Sequence, residues 1–270
     1  MATPPALSSN LRTLLAPIAK PKLRSHETSL ASHLPLIQSN PSNPPTIIFL
    51  GDSMFERFIT TGSSPNFPAP WPSPTLLPSL PPPFPPFNSP ADRLPHVLNA
   101  GVGGDKIQNM AYRLLGNDAP AQPLPSLAAA IADLKSVKLW AIHAGTNNLT
   151  PKKGLADGDV QALEAMLRVV LSIDGAPGVR TRVVVTALHY RRDVPDGKVD
   201  EANGKLRGLV GRLDGDEELG RGRVSWLGPA RGVVKEEHLV DHVHLSLEGY
   251  RVWVGEERLA NSSSKFSGIT

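Results

Sequence analysis

Five short apolar runs, rich in β-branched residues and separated by amphipathic segments, constrain this chain more than any other feature. They cover residues 46–50 (TIIFL), 97–100 (VLNA), 137–143 (VKLWAIH), 182–188 (RVVVTAL) and 223–227 (RVSWL). A strand buried on both faces reads as an unbroken apolar run, with no in–out alternation. The intervening segments carry helical spacing. Residues 105–115 place Ile107, Met110, Ala111 and Leu114 on one face, with Asp105 as a candidate cap. Residues 124–134 predict a second helix. Asp159 is the candidate cap of a third, carrying Val160, Leu163, Leu167 and Val170. Residues 202–213 turn Leu206, Leu209 and Val210 inward, and 247–259 predict a closing helix. Strands alternating with helices imply an α/β fold, a parallel five-stranded sheet covered on both faces. In such folds ligands bind beyond the carboxyl ends of the strands.

That pattern fills residues 46–260, long enough for one domain with a buried core. Residues 1–45 read as a partly irregular arm with one short helix near 11–19, and 261–270 as a tail. An insertion at about 60–95 breaks the domain, with 12 prolines between Pro65 and Pro90, interleaved with Phe67, Trp71, Phe84 and Phe87. Proline fixes φ and removes a backbone donor, so this stretch predicts a long loop of polyproline character. It is either a disordered insertion or an aromatic flap near the site.

Composition narrows the functional classes. The formal net charge is +3, and the basic residues are scattered, with no stripe for nucleic acid. There is no cysteine, which excludes disulfides, thiolate metal sites and a cysteine nucleophile. The first residues lack the order of a signal peptide, and no apolar stretch approaches the roughly 20 residues of a membrane span. The sequons at Asn148 and Asn261 read as chance matches. These features predict a cytoplasmic protein; its oligomeric state is open.

Four polar clusters sit at strand or helix boundaries. Gly51-Asp52-Ser53 follows the first run, where a tight turn can present a hydroxyl at the sheet edge; it is also an ordinary turn. Asn99 to Asp105 (NAGVGGD) follows the second run. Its glycines allow close backbone approach, but Lys106 stands where a dinucleotide fingerprint needs its third glycine. Gly145-Thr146-Asn147-Asn148 follows the third, and offers a side-chain amide as an oxyanion donor or simply a turn. Asp241-His242-Val243-His244 precedes the closing helix, where a carboxylate can orient an imidazole. His238, Asp241, His242 and His244 as metal ligands are the weaker reading.

Taken together and in this order, GDSM, NAGVGGD, GTNN and D-x-x-H followed by LSLEGY resemble the SGNH, or GDSL-like, hydrolase superfamily. The similarity is strongest to its intracellular platelet-activating-factor acetylhydrolase catalytic-subunit branch. It spans roughly 46–258; the proline-rich insertion departs from the compact family pattern. The resemblance implies a three-layer α/β/α sandwich, flavodoxin-like, and a serine esterase acting through an acyl-enzyme. It implies Ser53 as nucleophile, His244 as base and Asp241 as its orienting carboxylate. The oxyanion donors would be the Ser53 and Gly104 N–H groups and the Asn147 side chain, with no metal or other cofactor. The expected substrate is a small-molecule or lipid ester, with acyl chains on the short side. Asp52, Arg57 and His189 are possible substrate-binding residues, and Tyr190 is a weaker one. A carbohydrate O-deacetylase is the competing enzymatic reading. A non-catalytic binding protein on the same scaffold, or a scaffold that docks partners through the proline-rich loop, are the others.

Overall fold

The computed structural model describes residues 9, 11–39, 42, 44–58, 97–173, 175, 178–228, 234–246, 248–250 and 252–253. The proline-rich insertion, the C-terminal tail and the far end of the closing helix lie outside the described residues.

The five apolar runs form five parallel strands. They are β1 (Ile47–Gly51), β2 (Val97–Gly101), β3 (Leu139–His143), β4 (Arg182–Thr186) and β5 (Val224–Leu227). The sheet order is β2-β1-β3-β4-β5. Strands β3 and β4 are shorter than their runs, and Val137 and Leu188 are buried beyond the ladder. Alternate residues serve opposite faces, as the pleat requires. Ile48 and Leu50 join the larger core with Trp140, Ile142, Val183 and Val185. Ile47 and Phe49 face a smaller aromatic core with Phe55, Phe58, Tyr250 and Trp253. The result is the expected three-layer α/β/α sandwich.

Residues 11–39 are a helical segment packed on the domain, where the sequence predicts a partly irregular arm with one short helix near 11–19. A π-helical turn (Leu11–Leu15) is followed by α1 (Leu23–Thr28), a second π-helical turn (Ser29–His33) and α2 (Leu34–Ser39). Leu11, Leu15, Leu34 and Ile37 are buried in the larger core. One helical turn separates the leucines of the first pair, so a single face docks.

A four-residue helix, α3 (Ser53–Glu56), follows β1. The others are α4 (Ile107–Leu115), α5 (Leu127–Leu134), α6 (Asp157–Leu171) and α7 (Asp196–Asp214). Two caps differ from expectation. The N-cap of α4 is Lys106, and Asp105 instead turns inward to a buried ion pair with Arg113 at 2.9 Å. The N-cap of α6 is Ala156, and Asp159 lies inside the first turn, accepting from Asn148 at 2.7 Å. Helix α7 starts six residues before the predicted 202, at Asp196 just after Pro195.

The sheet order reverses between β1 and β3, the switch point at which a crevice opens at the carboxyl ends. Gly51 pairs in register with Gly101 and with His143. Three loops therefore leave the sheet at one level, and they carry Ser53, Gly104 and Asn147.

Candidate active site

The site begins at the turn from β1 into α3. The Asp52 carboxylate accepts the Met54 N–H at 2.9 Å, which fixes the start of α3 and sets Ser53 at its first position. Helix α3 lies very close to β2: a Cβ on Gly101 would fall 2.3 Å from the Glu56 nitrogen. Only glycine permits that approach. The Tyr250 hydroxyl donates to the Met54 carbonyl at 2.9 Å and ties α3 to the C-terminal segment.

Ser53 and His244 are 191 positions apart, and the fold brings them together. Ser53 Oγ and His244 Nε2 are 2.9 Å apart. His244 Nδ1 and Asp241 Oδ2 are 2.7 Å apart. Asp241 Oδ1 accepts the backbone N–H groups of Val243 (2.8 Å) and His244 (2.7 Å), which locks the bend carrying both residues. Arg192 braces this bend: its N–H donates to the His242 carbonyl at 2.8 Å and its guanidinium to the Asp241 carbonyl at 3.2 Å.

Burial acts on both titrating members. At Asp241 it works to raise the pKa, but hydrogen bonds from the His244 ring and the two backbone N–H groups outweigh it and hold the carboxyl at about 2. At His244 burial lowers the pKa below the ordinary histidine value, against the pull of Asp241; the nearby Arg57 charge adds to the lowering.

The other two loops meet at Asp105. Asn147 Nδ2 donates to the Asp105 carbonyl at 3.0 Å, so the amide lies beside the glycine loop. Gly104 is exposed, with φ of +75°, a left-handed backbone that favours glycine. Among the described residues, neither the Gly104 nor the Ser53 N–H has a hydrogen-bond partner. Asn148, beside Asn147, is structural: its oxygen caps the Ile107 N–H at 3.0 Å and its amide donates to Gln108 and Asp159.

The possible substrate-binding residues Asp52, Arg57 and His189 are all buried. Asp52 is buried and spent on the α3 cap; burial pushes its carboxyl up to about 7, against the Met54 N–H and the Thr146 hydroxyl. Arg57 is buried at the end of α3. His189 is buried edge-on to Trp253, ring centroids 4.6 Å apart, and beside His143 at 5.8 Å. The Tyr190 hydroxyl bonds to Asp200. His143 is held by the Thr186 (2.7 Å) and Thr146 (3.0 Å) hydroxyls. Among the described residues no group of three or more His, Asp or Glu side chains comes together as a metal site.

Sequence reasoning missed the support beneath these groups. Arg113 pairs with Asp105 and donates to the Ala100 carbonyl (2.8 Å) and the Gly51 carbonyl (3.3 Å), clamping the ends of β2 and β1 together. An arginine in an amphipathic helix otherwise reads as a solvated residue. Its place on the buried face, one turn after Asn109 and Met110, was the available signal.

Ser53, His244 and Asp241 thus lie at the carboxyl edge of a 2-1-3-4-5 parallel sheet in a three-layer, flavodoxin-like α/β/α fold. No family model and no curated protein matches the chain in sequence. Among solved structures it is similar to a Streptococcus pneumonia protein provisionally described as a platelet activating factor. That match has a TM-score of 0.53 at 15% identity and covers 96% of this chain and 99% of that one. A carbohydrate acetylesterase from Sinorhizobium meliloti aligns with a TM-score of 0.47 at 18% identity, over 82% of this chain and all (100%) of that one. A lipase/acylhydrolase from Enterococcus faecalis aligns at 0.48 and 17% identity, over 83% of this chain and 100% of that one. At such identities the first match speaks for the fold, and function must come from the site.

Proposed function

We propose that this protein is a serine esterase that cleaves acyl esters through an acyl-enzyme on Ser53. One observation carries the reading: the unbroken hydrogen-bonded chain Ser53–His244–Asp241, at 2.9 and 2.7 Å. A serine hydroxyl is a weak nucleophile until a base takes its proton, and a neutral imidazole within hydrogen-bond reach is such a base. Ser53 Oγ adds to the ester carbonyl while His244 Nε2 takes the proton. Asp241, kept ionised, holds the Nδ1–H tautomer and stabilises the imidazolium. The Ser53 and Gly104 N–H groups and the Asn147 amide receive the oxyanion. Collapse of the tetrahedral adduct expels the alkoxide, which His244 protonates. Water then enters, His244 removes its proton, and the acid is released with Ser53 restored.

The test is labelling with a fluorophosphonate probe, followed by a panel of short acyl esters and acetylated sugars. Wild type should label and turn over, and Ser53→Ala should do neither while remaining folded. Equal labelling of Ser53→Ala would remove Ser53 as nucleophile. Turnover confined to acetylated sugars would make the esterase a carbohydrate O-deacetylase.

A further inference from the structure

The glycine loop is gripped by two cations from the N-terminal segment, outside the region of family resemblance. Lys22 Nζ donates to the Gly103 carbonyl at 2.8 Å and to Asp105 Oδ1 at 3.3 Å. A Cβ on Gly104 would lie 3.0 Å from that same nitrogen. Arg24 pairs with Glu56 at 2.9 and 3.0 Å, and Glu56 Oε2 accepts the Gly103 N–H at 2.9 Å. Two successive peptide units are thus each held by a charge. Glu56 holds the 102–103 unit by its N–H, and Lys22 holds the 103–104 unit by its carbonyl.

The second of these units is the one whose N–H belongs to Gly104. In a trans peptide the carbonyl and the N–H point in opposite directions from one rigid plane. An ammonium on the Gly103 oxygen therefore fixes the direction of the Gly104 N–H. It also draws electron density along the amide, making that N–H a stronger donor. Lys22 is itself held, because the Asp105 carboxylate it touches is locked by Arg113 at 2.9 Å and by the Ser25 hydroxyl at 2.5 Å.

We propose that Lys22 is a positioning residue of the oxyanion hole: its ammonium orients and polarises the Gly103–Gly104 peptide, so that the Gly104 N–H is a preset, strengthened donor to the tetrahedral oxyanion. This rests on the esterase reading above. The ammonium touches neither the ester nor the nucleophile, and its effect is exerted only as negative charge develops. It belongs to kcat and to the binding of tetrahedral adducts, and leaves ground-state binding alone.

The experiment compares Lys22→Met, Lys22→Gln, Lys22→Arg and Arg24→Met in the full chain. It measures kcat and KM on a short acyl ester, inhibition by an alkyl boronic acid that forms an anionic tetrahedral adduct, and melting temperature. Loss of a whole oxyanion donor costs roughly 10²–10³ in rate, so weakening one donor should lower kcat about five- to tenfold in Lys22→Met. Boronate binding should weaken by the same factor, with KM nearly constant, and Lys22→Arg should restore most of both. Lys22→Gln keeps a neutral donor that spares the fold, and its boronate binding should weaken too. Arg24→Met loosens the same segment but acts on the other peptide unit, so its boronate inhibition should move much less. Unchanged boronate affinity in Lys22→Met or Lys22→Gln, with Ser53→Ala inactive, would overturn the role of Lys22 and leave the esterase intact. Equal losses in Lys22→Met and Arg24→Met, tracking melting temperature, would reduce Lys22 to a tether and overturn it likewise. A wild type that neither labels nor turns over would fail at the esterase reading itself and take this proposal with it.

Discussion

Burial of an imidazole penalises its charged form, and at His244 that penalty exceeds what the neighbouring carboxylate returns. The outcome is a base that stays neutral below the pH at which a free histidine would charge. Asp241, held at about 2, remains ionised throughout that range. The pH dependence of kcat/KM should therefore show one acid limb, with its midpoint below the ordinary histidine value of about 6.5. Initial rates on a soluble ester from pH 4.5 to 8 check this; a midpoint at or above the ordinary value would mean that the base is a different, better-solvated group. Asp52, one residue before the nucleophile, shows why an acidic neighbour in sequence need not be a member of the array. Its carboxylate caps α3 and does not reach the imidazole.

The helix α4 and the ends of β1 and β2 meet through one fully buried ion pair, Asp105–Arg113. Arg113 also donates to the Ala100 and Gly51 carbonyls, the latter already accepting the Val102 N–H at 3.0 Å. Removing one partner of such a pair leaves a charge stranded in the interior, so Arg113→Met should destabilise the protein by about 3–5 kcal/mol. Urea unfolding followed by circular dichroism measures it, and a change under about 1 kcal/mol would mean that Lys22 and Ser25 suffice to hold Asp105. The contrast between Arg113 and Ser53 marks what was legible beforehand. The strands were legible because buried parallel strands write continuous apolar runs, and the four site loops because each follows an element boundary. Asp105 and Asp159 look like caps, since the sequence position suits a cap; only the packing partner eight residues away, or the Asn148 amide donating to Asp159, reveals their use. Residues 11–39 read as a partly irregular arm because their helical pieces are short and interrupted by Pro17, Pro21 and Pro35. Their order comes from leucines docking on a core that the segment itself cannot announce.

Among the described residues, burial lowers the pKa of four histidines (His33, His143, His189 and, as above, His244), and this sets how the protein meets acid. Burial lowers His33 to about 3, with the Arg113 charge adding to it. Burial alone lowers His189 to about 4. Burial, then the neighbouring His189, takes His143 well below the ordinary value. Each binds a proton more readily in the unfolded chain than in the folded one. Their contribution is thus complete above the unfolded pKa of about 6.5 and is lost as pH falls from there toward the folded values. Asp52 acts in the opposite sense. Its folded pKa of about 7 exceeds its ordinary 3.8, so its stabilising contribution is lost as pH rises between those values. Four groups against one leave a net loss on acidification. Each buried histidine steepens the dependence by up to about 1.4 kcal/mol per pH unit, and Asp52 cancels about one of them. Unfolding free energy from urea titrations should be highest near neutrality and drop steeply from pH 6 to 4.5, in the same interval as the acid limb of activity. His189 separates the two effects, because neither of its ring nitrogens has a hydrogen-bond partner among the described residues. His189→Leu removes a titrating group without removing a hydrogen bond. It should flatten the stability profile by about one group's slope between pH 4.5 and 6, while the midpoint of kcat/KM stays set by His244. If the variant leaves the stability profile unchanged, the acid sensitivity arises elsewhere; if it shifts the activity midpoint as well, folding and the catalytic base titrate as one system.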